Sequence, residues 1–255
     1  MTVDWLTLLF AGVFGAAIGS FLHVCIDRLP RQISIVTPPS ACPNCGRRLA
    51  WYENVPLVAY VALGGRCRSC RAAIGARYVL LELITAAIFV LETWYFGLGL
   101  LLASRLVLSS ALIVLFAIDL EHHLLPNAIT LPGIGVGLLF GLAMGVWADA
   151  LLGILLGGGS LLALFYAWLW LRHEEALGMG DPKMLAMIGA FLGWRMTLLT
   201  LILGSFSGSI VGVGLLISGR GHRKSMLPFG CFLAIGAAIA ATAGPAILDW
   251  YLGLL

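Results

Sequence analysis

Long apolar runs separated by short polar connections extend along almost the whole chain. A run of about 20 apolar residues is long enough to cross a bilayer as a helix. We place such runs near residues 5–26, 78–97, 99–118, 128–147, 149–171, 183–194, 196–218 and 227–250. The sixth run has only about 12 residues, so we expect a half-length or re-entrant helix there. The pattern predicts an all-α polytopic membrane protein with about eight transmembrane helices.

Composition strengthens this interpretation, because 61% of the residues are hydrophobic and only 11% are charged. A soluble domain has roughly a quarter of its residues charged, so a soluble globular protein is excluded. The first run has no basic region before it, and we expect a retained span rather than a cleaved signal peptide. Many glycines recur at small-residue spacings that favour close helix packing, namely Gly153, Gly157, Gly158, Gly159, Gly204, Gly208 and Gly212.

Residues 28–77 form the one sizeable polar segment and contain two CxxC pairs, 42-CPNC-45 and 67-CRSC-70. Four thiolates at this spacing can close a tetrahedral zinc site, with ligands Cys42, Cys45, Cys67 and Cys70. Such a site has no open position, so the zinc would be structural. Two disulfides are the alternative, which a reducing cytoplasm disfavours. Cys25 and Cys231 lie in apolar surroundings and are expected to be small buried side chains.

We therefore predict three parts: a first transmembrane helix over 1–27, a cytoplasmic tetracysteine zinc module over 28–77, and a transmembrane core over 78–255. Most arginines and lysines fall in the module or in later loops of the same side. The positive-inside rule makes that side cytoplasmic and places both termini outside. Topology and attraction to anionic lipid account for the net charge of +3, so no nucleic-acid partner is implied.

Two aspartates end up at the cytoplasmic edge in this topology. Asp119 closes the apolar run 106–119, and Asp181 lies in 178-GMGDPK-183. Ionisable groups at membrane depth are usually functional, and two neighbouring carboxylates can share a proton and activate a water. Each also has a structural interpretation: Asp181, which precedes Pro182, as a helix N-cap, and Asp119 as a solvated charge at a helix end.

Residues around the second aspartate are candidates for substrate contacts. Gly178 and Gly180 would let a peptide backbone approach closely. Lys183 could act on the Asp181 carboxylate or meet an acidic group of a substrate, or it could simply reach the membrane interface.

Other polar residues are ambiguous. Glu82, one turn into the second run, is expected to be functional or paired, with Arg77 as an available neighbour. Glu53 could bind substrate or cofactor, or be a solvated loop carboxylate. His122 and His123 lack a third ligand at suitable spacing and are expected to be interfacial side chains.

Five segments together resemble the type IV prepilin peptidase family, whose members are GxGD-type membrane aspartyl proteases. They are 19-GSFLHVCIDRLP-30, the two CxxC pairs with 51-WYENVPL-57 between them, 118-IDLEHHLLPN-127, 178-GMGDPK-183 and 228-PFGCFLAIG-236. The resemblance covers essentially the entire chain. Two positions depart from the family pattern: His23 stands where asparagine is usual, and Asn127 where aspartate is common.

The resemblance implies an enzyme with two activities in the bacterial inner membrane, with its active site facing the cytoplasm. Such enzymes cleave the leader of prepilins and pseudopilins, with Asp119 and Asp181 as the implied catalytic pair. They then methylate the new N-terminus with S-adenosylmethionine. From the residues alone, two other classes stay open: a membrane methyltransferase without protease activity, and a non-enzymatic zinc-stapled scaffold or transporter.

Overall fold

A computed structural model describes residues 3–172, 178–218 and 227–253. Over these ranges the regular elements are helical, with two isolated antiparallel bridges and no extended strand. The helices are α1 (Trp5–Arg28), a 3₁₀ turn (Trp51–Asn54), α2 (Val58–Ala62), α3 (Ala76–Phe96), α4 (Leu100–His122), α5 (Asn127–Ala143), α6 (Trp147–Arg172), α7 (Gly180–Ile217), α8 (Phe229–Thr242) and α9 (Gly244–Leu252). The predicted all-α class is confirmed.

Five of these helices, namely α1, α3, α4, α6 and α7, are long and apolar enough to cross a membrane. The pair α8 and α9 would make a sixth span if the two helices count as one. The protein is therefore a multi-pass membrane protein. The predicted count of about eight transmembrane helices is not confirmed. Helix α5 has only 17 residues, and the predicted span 227–250 bends by 73° between α8 and α9.

The predicted sixth and seventh spans form the single element α7, which is broken at Gly193. Gly193 has φ 76° and ψ 170°, a conformation open to glycine but strained for other residues. The break lies within one residue of the end predicted for the short sixth run. Gly157 of α6 lies against Leu185 before the break and Thr197 after it, so both halves of α7 pack on α6.

The chain divides into two compact units, Met1–Leu106 and Val107–Leu255. In the first unit α1 and α3 pack closely at two glycines. A β-carbon at Gly15 would lie 2.9 Å from the Cα atom of Ala86, and one at Gly19 would lie 2.9 Å from the Cα atom of Glu82. Between these helices the chain forms the polar segment with its four cysteines.

The core of the second unit surrounds the first half of α7. Met184, Leu185, Met187 and Ile188 are fully buried there, and they belong to one cluster with leucines and alanines of α4, α6 and α8. The short apolar run that cannot span a bilayer is thus the central helix of this unit. Its N-terminus carries Asp181.

Helices α6 and α7 approach almost to backbone contact at Gly153 and Gly189. A β-carbon at either glycine would lie within 2.3 Å of the carbonyl oxygen of the other. Small residues at such crossings let van der Waals packing hold helices together where lipid provides no hydrophobic drive. The packing interpretation is confirmed for Gly153, Gly157 and Gly158, whereas Gly159 faces open space.

Candidate active site and candidate metal centre

Asp119 lies in the last turn of α4 and is only 5% exposed. The helix ends just beyond it, where His123 adopts a left-handed φ of 51° and donates its backbone N–H to the Asp119 carbonyl. The carboxylate is therefore not the solvated charge of the structural interpretation. It points into the second unit.

The Asp119 carboxylate meets the start of α8. Its Oδ2 accepts the backbone N–H of Cys231 at 3.0 Å. The same N–H also lies 3.2 Å from the Pro228 carbonyl oxygen. The N-cap residue of α8 is Pro228, which offers no capping side chain, so Asp119 supplies from α4 a side-chain acceptor for the first turn of α8. Gly230 also lies beside this carboxylate, because a β-carbon there would lie 2.8 Å from Oδ2.

Asp181 lies in the first turn of α7 and is 7% exposed. The prediction that it is the N-cap is wrong, because the helix begins at Gly180 and Met179 is the N-cap. The chain already turns before Asp181, whose N–H is donated to the Gly178 carbonyl at 3.2 Å. Proline at position 182 is compatible with this earlier start, since first-turn N–H groups have no intrahelical acceptor.

Both carboxylates belong to the second unit and are close enough to interact electrostatically. Two buried carboxylates that lie near one another cannot easily ionise together, and such a pair can share one proton. A buried pair with one shared proton can bind and activate a water. The structure thus brings together the two aspartates that lie 62 residues apart in sequence (181 − 119).

The residues next to Asp181 have partners that the sequence does not indicate. Lys183 donates from Nζ to Oδ1 of Asn127 at 2.9 Å, which ties the start of α7 to the start of α5. Gly180 packs against Leu125 rather than standing open to a substrate. Among the residues that the structure describes, a β-carbon at Gly178 would meet only Asp181 Oδ2, at 3.7 Å. Close approach of a substrate backbone stays a prediction for Gly178.

The four cysteines lie on two knuckles with the same backbone pattern, offset by 25 residues. In the first, the Cys42 N–H is donated to the Arg47 carbonyl at 2.9 Å, and an antiparallel bridge joins Ala41 to Arg48. In the second, the Cys67 N–H is donated to the Ala72 carbonyl at 2.8 Å, and the bridge joins Arg66 to Ala73. The left-handed corner falls at Gly46 in one and Arg71 in the other.

The sulfur positions fit a tetrahedral metal. The four Sγ atoms lie within 4.8 Å of one another, and those of Cys42 and Cys70 are 3.8 Å apart. Zinc–sulfur bonds of about 2.3 Å give a tetrahedron with edges of about 3.8 Å. All four thiols are free, so the disulfide alternative is not what the structure shows. Among the described residues no other group of three or more metal-binding side chains occurs, and His122 and His123 are exposed.

The surroundings of the knuckles shift the pKa values of two of the thiols in opposite directions. The N–H of Ala72 and the side-chain amide of Asn44 lower the pKa of the Cys70 thiol to about 6. Although the N–H of Arg47 acts the other way, desolvation and the neighbouring sulfurs raise the pKa of Cys45 to about 11. Crowded thiolates of this kind repel one another, and a bound dication would neutralise them.

We expect the purified protein to contain about one zinc ion per chain, because four sulfurs already stand at tetrahedral separations. Serine at Cys42, Cys45, Cys67 or Cys70 should lower the zinc content and speed proteolysis within 28–77. Metal analysis of protein prepared without chelators tests this, with Cys25→Ser as the control that keeps all four ligands. Intact disulfides and no zinc in such a preparation would refute the assignment.

The two glutamates considered for substrate or cofactor contacts are engaged inside the first unit. The side chain of Glu53 is 3% exposed, pairs with the Arg47 guanidinium and accepts the N–H of Ala50 at 2.8 Å. It is not a solvated loop carboxylate. Glu82 is 8% exposed and accepts the N–H of Leu57 at 2.9 Å, where Leu57 has a left-handed φ of 59°. Glu82 therefore fastens the loop between the knuckles to α3.

Sequence reasoning misses three residues that shape the aspartate pair: Leu125, Gly230 and Cys231. Each lies in a segment that carries the family resemblance, but nothing in its residue type indicates a role. Cys25 and Cys231 are buried as expected, and the Cys231 thiol donates to the Phe116 carbonyl.

The fold and site define a polytopic helical membrane protein with a buried pair of aspartates at helix ends and a cluster of four cysteines that could hold a metal ion. Comparison with known proteins makes this specific. Residues 13–96 match the bacterial peptidase A24 N-terminal domain, and residues 106–213 match the type IV leader peptidase family. The chain belongs to the type IV leader peptidase family.

Relatives along most of the chain support the assignment. A prepilin leader peptidase/N-methyltransferase of Pseudomonas aeruginosa is 38% identical, over 94% of this chain and 91% of its own length. One of Aeromonas salmonicida is 37% identical, over 99% of this chain and 96% of its own. One of Myxococcus xanthus is 44% identical over 82% of this chain, which spans 63% of that longer relative. No solved structure matches the chain.

Proposed function

We propose that this protein cleaves the leader peptide of type IV prepilins and pseudopilins and then N-methylates the new N-terminus. The observation that carries the proposal is the buried pair Asp119 and Asp181 in a chain of the type IV leader peptidase family. The relatives' names state both activities. Asp119 and Asp181 are the catalytic residues in this proposal.

Hydrolysis needs one ionised and one protonated carboxylate. The ionised aspartate takes a proton from a water, and the resulting hydroxide attacks the scissile carbonyl. The protonated aspartate donates a hydrogen bond to that carbonyl and stabilises the negative charge that develops on its oxygen. When the tetrahedral intermediate collapses, a proton passes to the leaving amine and the pair returns to its shared-proton state.

The site lies at the cytoplasmic edge of the bacterial inner membrane in this proposal. The module over 28–77 carries eight arginines and one carboxylate, and the positive-inside rule assigns such a segment to the cytoplasm. The transmembrane core over 78–255 then receives the apolar helix of the substrate from the bilayer, while the leader stays in the cytoplasm. Zinc in the module is structural.

The methyl donor in this proposal is S-adenosylmethionine, as the family resemblance implies. The two glutamates that the sequence offers for it have partners within the first unit: Glu53 accepts from Arg47 and Ala50, and Oε2 of Glu82 accepts the N–H of Leu57. The described residues also contain no strand from which a glycine-rich nucleotide loop could start. Glu53 and Glu82 hold the first unit together, and their contact with the substrate or the methyl donor stays a prediction.

The direct test is to incubate the purified protein with a prepilin, with and without S-adenosylmethionine, and to measure the product's mass. We expect loss of the leader in both cases and a further gain of one methyl group only with the cofactor. An unchanged prepilin mass, with a well-folded enzyme, would refute the proposed proteolysis.

A further inference from the structure

Leu125 lies between the two helix starts that flank the aspartates. It belongs to the connection between α4 and α5, six residues after Asp119 (125 − 119). Its side chain is partly buried and packs against the core of the second unit. The next residue, Pro126, is the N-cap of α5, which fixes the direction in which the connection leaves the site.

On one side Leu125 fills the space beside Gly180. A β-carbon at Gly180 would lie 2.7 Å from Cβ and 3.2 Å from Cδ1 of Leu125. Such separations are well below van der Waals contact, so any larger residue at 180 would have to push Leu125 away or shift the start of α7. Gly180 directly precedes Asp181.

On its other side the same leucine fills the space beside Gly230. A β-carbon at Gly230 would lie 3.0 Å from Cδ2 of Leu125 and 2.8 Å from Oδ2 of Asp119. Gly230 therefore stands in contact with the first aspartate and with the leucine that contacts the second aspartate's helix.

We propose that Leu125 is a positioning residue that sets the separation of the starts of α7 and α8, and thereby the mutual placement of Asp181 and Asp119. Gly180 and Gly230 are the two surfaces against which it is held. The inference rests on the proposed proteolysis, and it adds a residue that acts through the placement of the two aspartates.

A positioning role has a kinetic signature that differs from loss of binding. Misplacing a reacting group by about 1 Å can cost about 100-fold in rate, whereas docking of the substrate's apolar helix does not depend on that placement. Variants of the leucine or its glycines should therefore lower kcat and leave KM nearly unchanged.

The experiment uses the full-length protein in detergent with a prepilin substrate. Gly180→Ala, Gly230→Ala and Leu125→Ala should each lower kcat about tenfold or more, with KM within about twofold of the original enzyme. Leu125→Met, which keeps the volume, should retain most activity. Matched controls are Gly159→Ala, where a β-carbon meets open space, and Leu124→Ala, whose side chain is exposed.

The double variant Gly180→Ala/Leu125→Gly tests the contact itself. Glycine at 125 removes the Cβ atom that a β-carbon at 180 would meet at 2.7 Å. The kcat of the double variant should therefore exceed that of Gly180→Ala alone, a coupling expected only of residues in contact. If the glycine variants do not fold, the comparison of Leu125→Ala with Leu125→Met decides. Unchanged kcat in Leu125→Ala, or a loss confined to KM, overturns the inference.

The outcome separates this inference from the proposed function. If Asp119→Asn and Asp181→Asn abolish cleavage while Leu125→Ala keeps its full kcat, only the positioning role fails. If both asparagine variants still cleave, the proposed mechanism itself fails.

Discussion

Asparagine at either Asp119 or Asp181 is expected to abolish prepilin cleavage while leaving the protein inserted in the membrane. An amide can neither take a proton from water nor share one with the partner carboxylate, so each change removes the whole acid–base device. We expect kcat to fall by about 10³-fold or more in each single variant. The double variant should be little worse, because residues that act as a unit are not additive.

Glu121→Gln is the matched control, since Glu121 lies two residues from Asp119 and is exposed. It removes a carboxylate from the same end of α4 and should leave cleavage near its original rate. Substantial cleavage by Asp119→Asn or Asp181→Asn, measured as product mass against enzyme concentration, would contradict the two-aspartate mechanism.

Sequence alone indicates the features that depend on local pattern. The apolar runs predict helices because a bilayer leaves few other ways to satisfy backbone polar groups. The two CxxC pairs predict a metal site because the turn that each pair makes is set locally, and the structure shows the same hydrogen bonds in both. The break after the short sixth run is visible for a similar reason, since a run of about 12 residues cannot span.

Contacts between distant residues cannot be read in the same way. The hydrogen bond from the Cys231 N–H to Asp119 joins residues that are 112 positions apart, and neither residue type predicts it. A polar loop favours a solvated carboxylate at Glu53, yet the fold buries this side chain against Arg47. The sequence places the start of α7 too late because Asp-Pro is a common helix beginning. The turn in which the Asp181 N–H is donated to the Gly178 carbonyl begins that helix earlier, at Gly180.

The central position of α7 gives these contacts a common cause. Its first half is enclosed by neighbouring helices, so the residues at its N-terminus are held by whatever packs there. Leu125 packs against Gly180, and Asn127 accepts from Lys183, at the N-terminus of α7. The start of α8 contacts Asp119. Two carboxylates can act together on a water and a peptide bond only when their separation is fixed. Rigid surroundings therefore suit the proposed role of the two aspartates.

We expect the predicted zinc module over 28–77 to matter most for N-methylation. The match to the type IV leader peptidase family over 106–213 contains both aspartates, whereas the four cysteines fall in the separate N-terminal match over 13–96. A zinc ion with four sulfur ligands has no open position, so the module would act through the surface that it shapes. Serine at any ligand should therefore lower methylation at least as severely as cleavage, because a small segment without its metal loses much of its folding free energy.

A pre-cleaved pilin with a free N-terminus separates the two activities. With labelled S-adenosylmethionine, Asp119→Asn and Asp181→Asn should still methylate this substrate. Its leader is already removed, so the reaction no longer needs the acid–base chemistry of the two carboxylates. Cys42→Ser and Cys67→Ser should fail on it, and Cys25→Ser, which alters a cysteine outside the metal site, should not. If folded aspartate variants fail to methylate the mature pilin, the two activities share one site and this division between the module and the aspartates is wrong.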